Sequence, residues 1–121
     1  MATIVIAAVG VFFLGMGVYA LAAPAALARP FGLAATAPES RSEVRAVYGG
    51  FGVAIAVLLA LAAAGVEGLR PGAVLAVAAA LAGMALGRVL SRVVDAPTAF
   101  YPIWFYFLVE AVAAGLLFAV A

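Results

Sequence analysis

The sequence predicts an all-α fold: a polytopic membrane protein built as an antiparallel bundle of four transmembrane helices, in one domain over residues 1–121. Three observations predict it. Hydrophobic residues fill 70% of the 121 positions and charged residues only 9%, against roughly 25% charged in soluble domains. The mean hydropathy is +1.36. Four apolar runs each reach the roughly 20 residues that a helix needs to cross a bilayer, and the stretches between them carry proline, glycine and charge.

The first helix is expected over 3–22. Ala20-Leu21-Ala22 resembles a signal-peptide cleavage site, but Met1 to Val5 carry no Lys or Arg and the apolar run exceeds a usual signal core, so a retained helix is the reading. Residues 23–42 follow, with Pro24, Pro30 and Pro38. Proline ends the first helix and keeps this segment irregular, while its apolar part, "AALARPFGLAA", suits the membrane interface. Ser40 and Glu43 fit a capping box, with Ser40 as N-cap, so the second helix, taken as 43–65, begins near Arg41. The link "VEGLRPG" is short and makes the second and third helices (72–94) antiparallel neighbours. "DAPTAFYP" does the same for the third and fourth (102–121), and Pro102 suits a first helical turn. Small residues are expected to pack these helices inside one chain: Gly83 and Gly87 in the third, Gly49, Gly50 and Gly52 in the second, and Gly10, Gly15 and Gly17 in the first.

Composition also excludes function classes. There is no cysteine and no histidine. Disulfides, thiol redox chemistry, histidine-ligated haem and the usual zinc or copper sites are therefore out, as are Ser-His-Asp and Cys-His catalysis. No cofactor and no metal are expected. Net charge is +1, and the six basic residues are scattered arginines, which argues against nucleic acid as a partner.

The charges are asymmetric. Let end A be the end of the bundle that holds Met1, and end B the opposite one. Glu67 and Arg70 fall at end A. Arg29, Glu39, Arg41, Glu43, Arg45, Arg88, Arg92, Asp95 and Glu110 fall at end B or in the half of the bundle leading to it. Arg88 and Glu110 lie about 10–12 Å inside the B-side helix ends at 1.5 Å per residue, on adjacent helices and at one depth. A lone charge in hydrocarbon costs at least about 2.5–3.5 kcal/mol, so the two are expected to meet, directly or through water. Arg88, Ser91, Arg92 and Asp95 recur at i, i+3, i+4 and i+7, one helical face. Arg41, Arg45, Tyr48 and Gly52 form a similar stripe on the second helix. Tyr106 stands one turn from Glu110, and Tyr19 falls near the same level. These faces predict a polar, aromatic-walled pocket open to end B.

Blander readings stand beside these. Arg92 and Asp95 suit an exposed interfacial pair. Phe100, Tyr101, Trp104 and Phe105 suit an aromatic belt. Arg88–Glu110 suits either a register-fixing contact or a functional group, and buried ion pairs rarely improve on apolar packing. Arginine bias places end B in the cytoplasm and both termini outside.

The residues "SEVRAVYGGFGVAIAVLLA" (42–60), "LGRVLSRVVDAP" (86–97), "GVYALAAP" (17–24) and an acidic residue inside the last helix resemble a family of small bacterial membrane proteins known as domain of unknown function 4345. The resemblance spans nearly the whole chain. It implies a four-helix protein of the bacterial cytoplasmic (inner) membrane and no assigned activity, and it marks Glu43, Arg45, Tyr48, Gly49, Gly50, Arg88, Asp95 and Glu110. A more distant likeness is to the DoxX-type four-helix proteins, with no motif that secures it.

Three functions remain open. One is a binding or transport-like protein that holds a small amphiphile, a lipid or quinone-like molecule, with Arg45 and Arg88 on its head and Glu110 and Tyr48 completing the hydrogen bonds. The second is a structural or accessory subunit of a membrane complex. The third is a membrane enzyme using Glu110 or Asp95 as acid or base. Membrane lipid is the expected partner, with a homo-oligomer possible in any of the three.

Overall fold

The computed structural model describes all 121 residues, and its regular structure is entirely helical. Four long helices, α1 (Ala2–Ala22), α3 (Pro38–Ala63), α4 (Leu69–Val94) and α5 (Phe100–Val120), are joined by short links and by a segment holding the one-turn helix α2 (Pro24–Ala28). Each long helix has the length and apolarity to cross a membrane.

Helix starts differ from expectation where proline is used constructively. α3 begins at Pro38 with Ala37 as its N-cap, and no side chain caps it. Ser40 and Glu43 lie inside the helix, so the capping box does not form. Proline in the first helical position lacks only a donor that would be unused there, and its fixed φ suits the helix. The same logic starts α2 at Pro24, which makes part of the supposedly irregular segment helical, and lets α4 start at Leu69 with Pro71 inside its first turn. Gly65 and Gly68 turn the chain between α3 and α4 with positive φ of 75° and 69°, a conformation that glycine adopts without steric cost. α5 enters through wide turns over Phe100–Trp104, with Tyr101 still extended, and becomes regular at Phe105.

α1 and α3 form a tight antiparallel seam. A Cβ placed on Gly17 would stand 2.8 Å from the Val53 backbone nitrogen and 2.9 Å from the Gly49 carbonyl oxygen. One on Gly52 would come within 3.1 Å of Gly17 Cα, and one on Gly49 within 2.8 Å of Leu21 Cγ. Such backbone-to-backbone approach is how helices bind each other in lipid, where apolar side chains gain little by leaving it. Other glycines expected to pack do not. A Cβ on Gly15, Gly83 or Gly87 would meet nothing within 4 Å, and one on Gly50 would meet only the Arg45 carbonyl of its own helix. α4 turns a different stripe inward: Ala73, Val74, Val77, Ala78, Leu81 and Ala85. That leaves Gly83 on the outside.

The main core lies toward end A. Ile6, Leu59, Val74 and Leu117, one from each long helix, are the largest fully buried side chains. A smaller cluster, Ala20, Leu27, Ala28, Ala35 and Val44, seals the 23–37 segment onto α1 and α3 at end B. Between α4 and α5 at end B there is no such core. Every residue from Ser91 to Tyr101 is exposed.

Candidate functional site

The inward stripe of α4 does not stop at Ala85. One turn on, the same face presents Arg88, and then Ser91, Arg92 and Asp95. α5 presents Glu110 on the stripe that continues as Ala114 and Leu117. The two faces meet. Arg88 Nε donates to Glu110 Oε1 at 2.8 Å, and Arg88 Nη2 to Oε2 at 2.9 Å. This bidentate pair is the single salt bridge of the molecule. Glu110 is 4% exposed, the one buried charged side chain, and its two oxygens are both engaged. Charged fork-to-fork bonds of this kind are the stronger class of hydrogen bond.

Arg88 is less completely used than Glu110. Two of its five N–H groups have a protein acceptor. Its guanidinium carbon lies 5.9 Å from the Tyr106 ring centroid, within reach of a cation–π attraction. Arg88 also lines a cavity of about 440 Å³ together with Met84, Gly87, Ser91, Arg92, Asp95, Ala96, Thr98, Ile103 and Trp104. The expected four-residue polar face of α4 is thus one wall of this cavity. Gly87, expected to pack against another helix, instead leaves space in that wall. Arg92 and Asp95 do not pair with each other, contrary to the interfacial pair expected from their spacing, and neither makes a side-chain hydrogen bond.

Tyr106 forms the inner side of the site. Its hydroxyl donates to Met16 Sδ at 3.7 Å. Its ring sits 5.1 Å from Phe105, 5.5 Å from Phe31 and 6.2 Å from Tyr101. Phe31 was not anticipated. It arrives because the chain folds back after α2 through a turn ending at Gly32, whose φ is 73°. Proline before it and glycine after it, in an otherwise apolar loop, were the signal. Of the expected belt, Tyr101 and Phe105 join this cluster, and Trp104 lines the cavity.

The polar stripe of α3 serves elsewhere. Arg45 Nε donates to the Leu21 carbonyl at 3.1 Å, satisfying one of the oxygens left free at the end of α1. Arg41 Nη1 donates to the Thr36 carbonyl at 2.7 Å. Glu43 and Tyr48 line a second cavity of about 390 Å³ with Ser40, Val44, Val47 and Leu33–Ala35. No hydrogen bond joins an α3 side chain to Arg88 or Glu110, and Tyr19 is exposed with no bond of its own. The single pocket fed by three helices is therefore two cavities, and the charged one is built by α4, α5 and the link between them.

At end A, Arg70 uses three of its five N–H groups on three acceptors. Its Nε donates to the Ala62 carbonyl at 3.1 Å, and its Nη2 to the Ala63 carbonyl at 2.7 Å and Thr3 Oγ1 at 3.2 Å. One side chain thereby caps α3 and ties it to α1 and α4. Sequence reading placed Arg70 at this end but gave it no role, because its acceptors are carbonyls that any sequence carries.

The chain matches, over residues 1–121, the family model described as domain of unknown function (DUF4345), and it belongs to that family. No curated protein and no solved structure matches it.

Proposed function

We propose that this member of the family is an integral membrane protein that binds a small amphiphile, a lipid or quinone-like molecule, in the cavity between α4 and α5. One observation carries the reading. The cation of a buried charge pair lines a cavity and keeps donors to spare. A pair serving only to fix register has no need of a cavity or of free donors. Tails have apolar surface in Met84 and Ile103, and a head has Arg88, Ser91, Arg92 and Thr98. The volume, about 440 Å³, falls in the range of ligand sites, about 300–1,000 Å³. Arginine bias supports a bacterial cytoplasmic membrane with end B inside and both termini outside, since Arg29, Arg41, Arg45 and Arg92 gather at end B against Arg70 alone at end A.

Native mass spectrometry after gentle extraction tests the reading. The expected result is a retained molecule of lipid or quinone mass, with a rise in thermal midpoint when that compound is added back. A protein that retains nothing, and that no lipid or quinone stabilises, contradicts it.

A second reading rests on Glu110, whose two oxygens are both taken by Arg88. In that reading the pair is internal glue in an accessory subunit of a membrane complex. The double variant Arg88→Glu, Glu110→Arg separates the two. Recovery of folding and cellular phenotype together supports glue, whereas recovery of folding alone supports a binding role for Arg88.

A further inference from the structure

We infer that the head group recognised in the α4–α5 cavity is zwitterionic, a phosphodiester carrying a primary ammonium at its outer end, as in phosphatidylethanolamine; this deepens the amphiphile reading above and rests on it. The inference comes from the order of chemistry along one face of α4. From the middle of the bundle toward end B, the cavity wall presents Met84, then Arg88, then Ser91 and Arg92, then Asp95. That sequence runs apolar, cationic, anionic. A phospholipid standing in the same half of the bilayer runs tail, phosphate, ammonium in the same direction.

The two charges that matter have no partner in the protein. Arg92 and Asp95 share the cavity and are spaced for an ion pair, yet they form none. Three residues on a helix correspond to about 4.5 Å of axial rise, comparable with the separation of a phosphate from an ammonium two carbons away. Asp95 is the C-cap of α4. A carboxylate there lies at the negative end of the helix dipole, where cations are favoured and anions are not. The last carbonyls of α4 add to the same negative field, and Thr98 at the rim brings a further hydroxyl. This is a subsite for an ammonium with N–H groups to donate. One turn deeper, Arg92, the Ser91 hydroxyl and the unused donors of Arg88 form a subsite for a phosphodiester.

The overall balance agrees. The lining carries Arg88, Arg92 and Asp95, and Glu110, buried behind Arg88, offsets that cation, so the formal charges balance. A head of net negative charge would bring its surplus charge against Asp95. A quinone would leave Arg92 and Asp95 without partners.

The test uses the full-length protein in detergent, delipidated and then titrated separately with phosphatidylethanolamine, phosphatidylglycerol and a quinone of matched chain length, with bound lipid counted by native mass spectrometry. Wild type is expected to retain phosphatidylethanolamine over phosphatidylglycerol by about fivefold or more, the ratio that ~1 kcal/mol of charge contact gives. Asp95→Lys is expected to invert the preference. Asp95 is exposed, so folding should survive, and the wild-type selectivity is informative without the variant. Equal or greater retention of phosphatidylglycerol or quinone by wild type overturns the head-group assignment while leaving the amphiphile site in place. So does a preference that Asp95→Lys leaves unchanged. Retention of none of the three contradicts the head-group assignment and the amphiphile reading together.

Discussion

Arg70 and Arg88 stand near opposite ends of the same helix, α4, and do different things with the same side chain. Arg70 spends its donors on three acceptors from two other helices, two of them carbonyls at the end of α3. Arg88 makes two bonds to one carboxylate and keeps three N–H groups beside a cavity. The first arrangement adds side-chain donors to the carbonyls at the end of α3, where helix-end acceptors are in excess. The second places paired charge where apolar residues would pack at least as well. The contrast separates an arginine that bonds to three acceptors on two other helices from one that bonds to a single carboxylate beside a cavity.

Perturbing the two ends should give different signatures. The largest effect is expected from Glu110→Ala, which strands Arg88 without its counter-charge. Breaking a buried pair from one side costs about 3–5 kcal/mol, and the thermal midpoint of the purified protein should fall steeply. Arg70→Met should cost about 1 kcal/mol, because it takes the donor from the part-buried Ala63 carbonyl and the ties to Ala62 and Thr3. It should lower the thermal midpoint while leaving amphiphile retention per folded molecule unchanged. A selective loss of ligand in Arg70→Met would erase the distinction between the two ends. The helix seams sharpen the same comparison. Gly17→Ala forces a methyl to 2.8 Å from the Val53 backbone and should cost about 1–3 kcal/mol. Gly83→Ala meets nothing within 4 Å and should stay within about 0.5 kcal/mol of wild type. Parallel denaturation of these two variants checks which seam carries the packing.

Much of this was legible in the sequence for definite reasons. Run length and hydropathy marked four helices because a bilayer imposes both. The Arg88–Glu110 contact followed from counting depth on neighbouring helices, since an unpaired charge in hydrocarbon is too costly to leave alone. The polar face of α4 followed from helical spacing. Other features depended on facts that spacing does not hold. Which glycines face inward depends on how helices rotate, and the rotation of α4 was set by its Ala-Val-Leu stripe. Gly17 and Gly52 therefore pack, while Gly83 and Gly87 do not. The capping box at Ser40 and Glu43 lost to Pro38, which started α3 three residues earlier. Arg45 was read as a ligand group from its place on a polar stripe, and its Nε donates to the Leu21 carbonyl, an acceptor that no sequence pattern marks. The arrival of Phe31 beside Tyr106 depended on a turn in a loop whose prolines suggested only irregularity.

Gly87 offers the most direct test of the central claim that the α4–α5 cavity is a binding site. A Cβ there meets nothing within 4 Å, and the residue lines the cavity, so Gly87→Leu is expected to extend into that space, away from the α1–α3 seam. Native mass spectra and thermal midpoints of wild type and Gly87→Leu, extracted identically, give the answer in one comparison. The account predicts a retained amphiphile in wild type, its loss in the variant, and an undiminished midpoint for the delipidated protein. An amphiphile retained equally by both would contradict it.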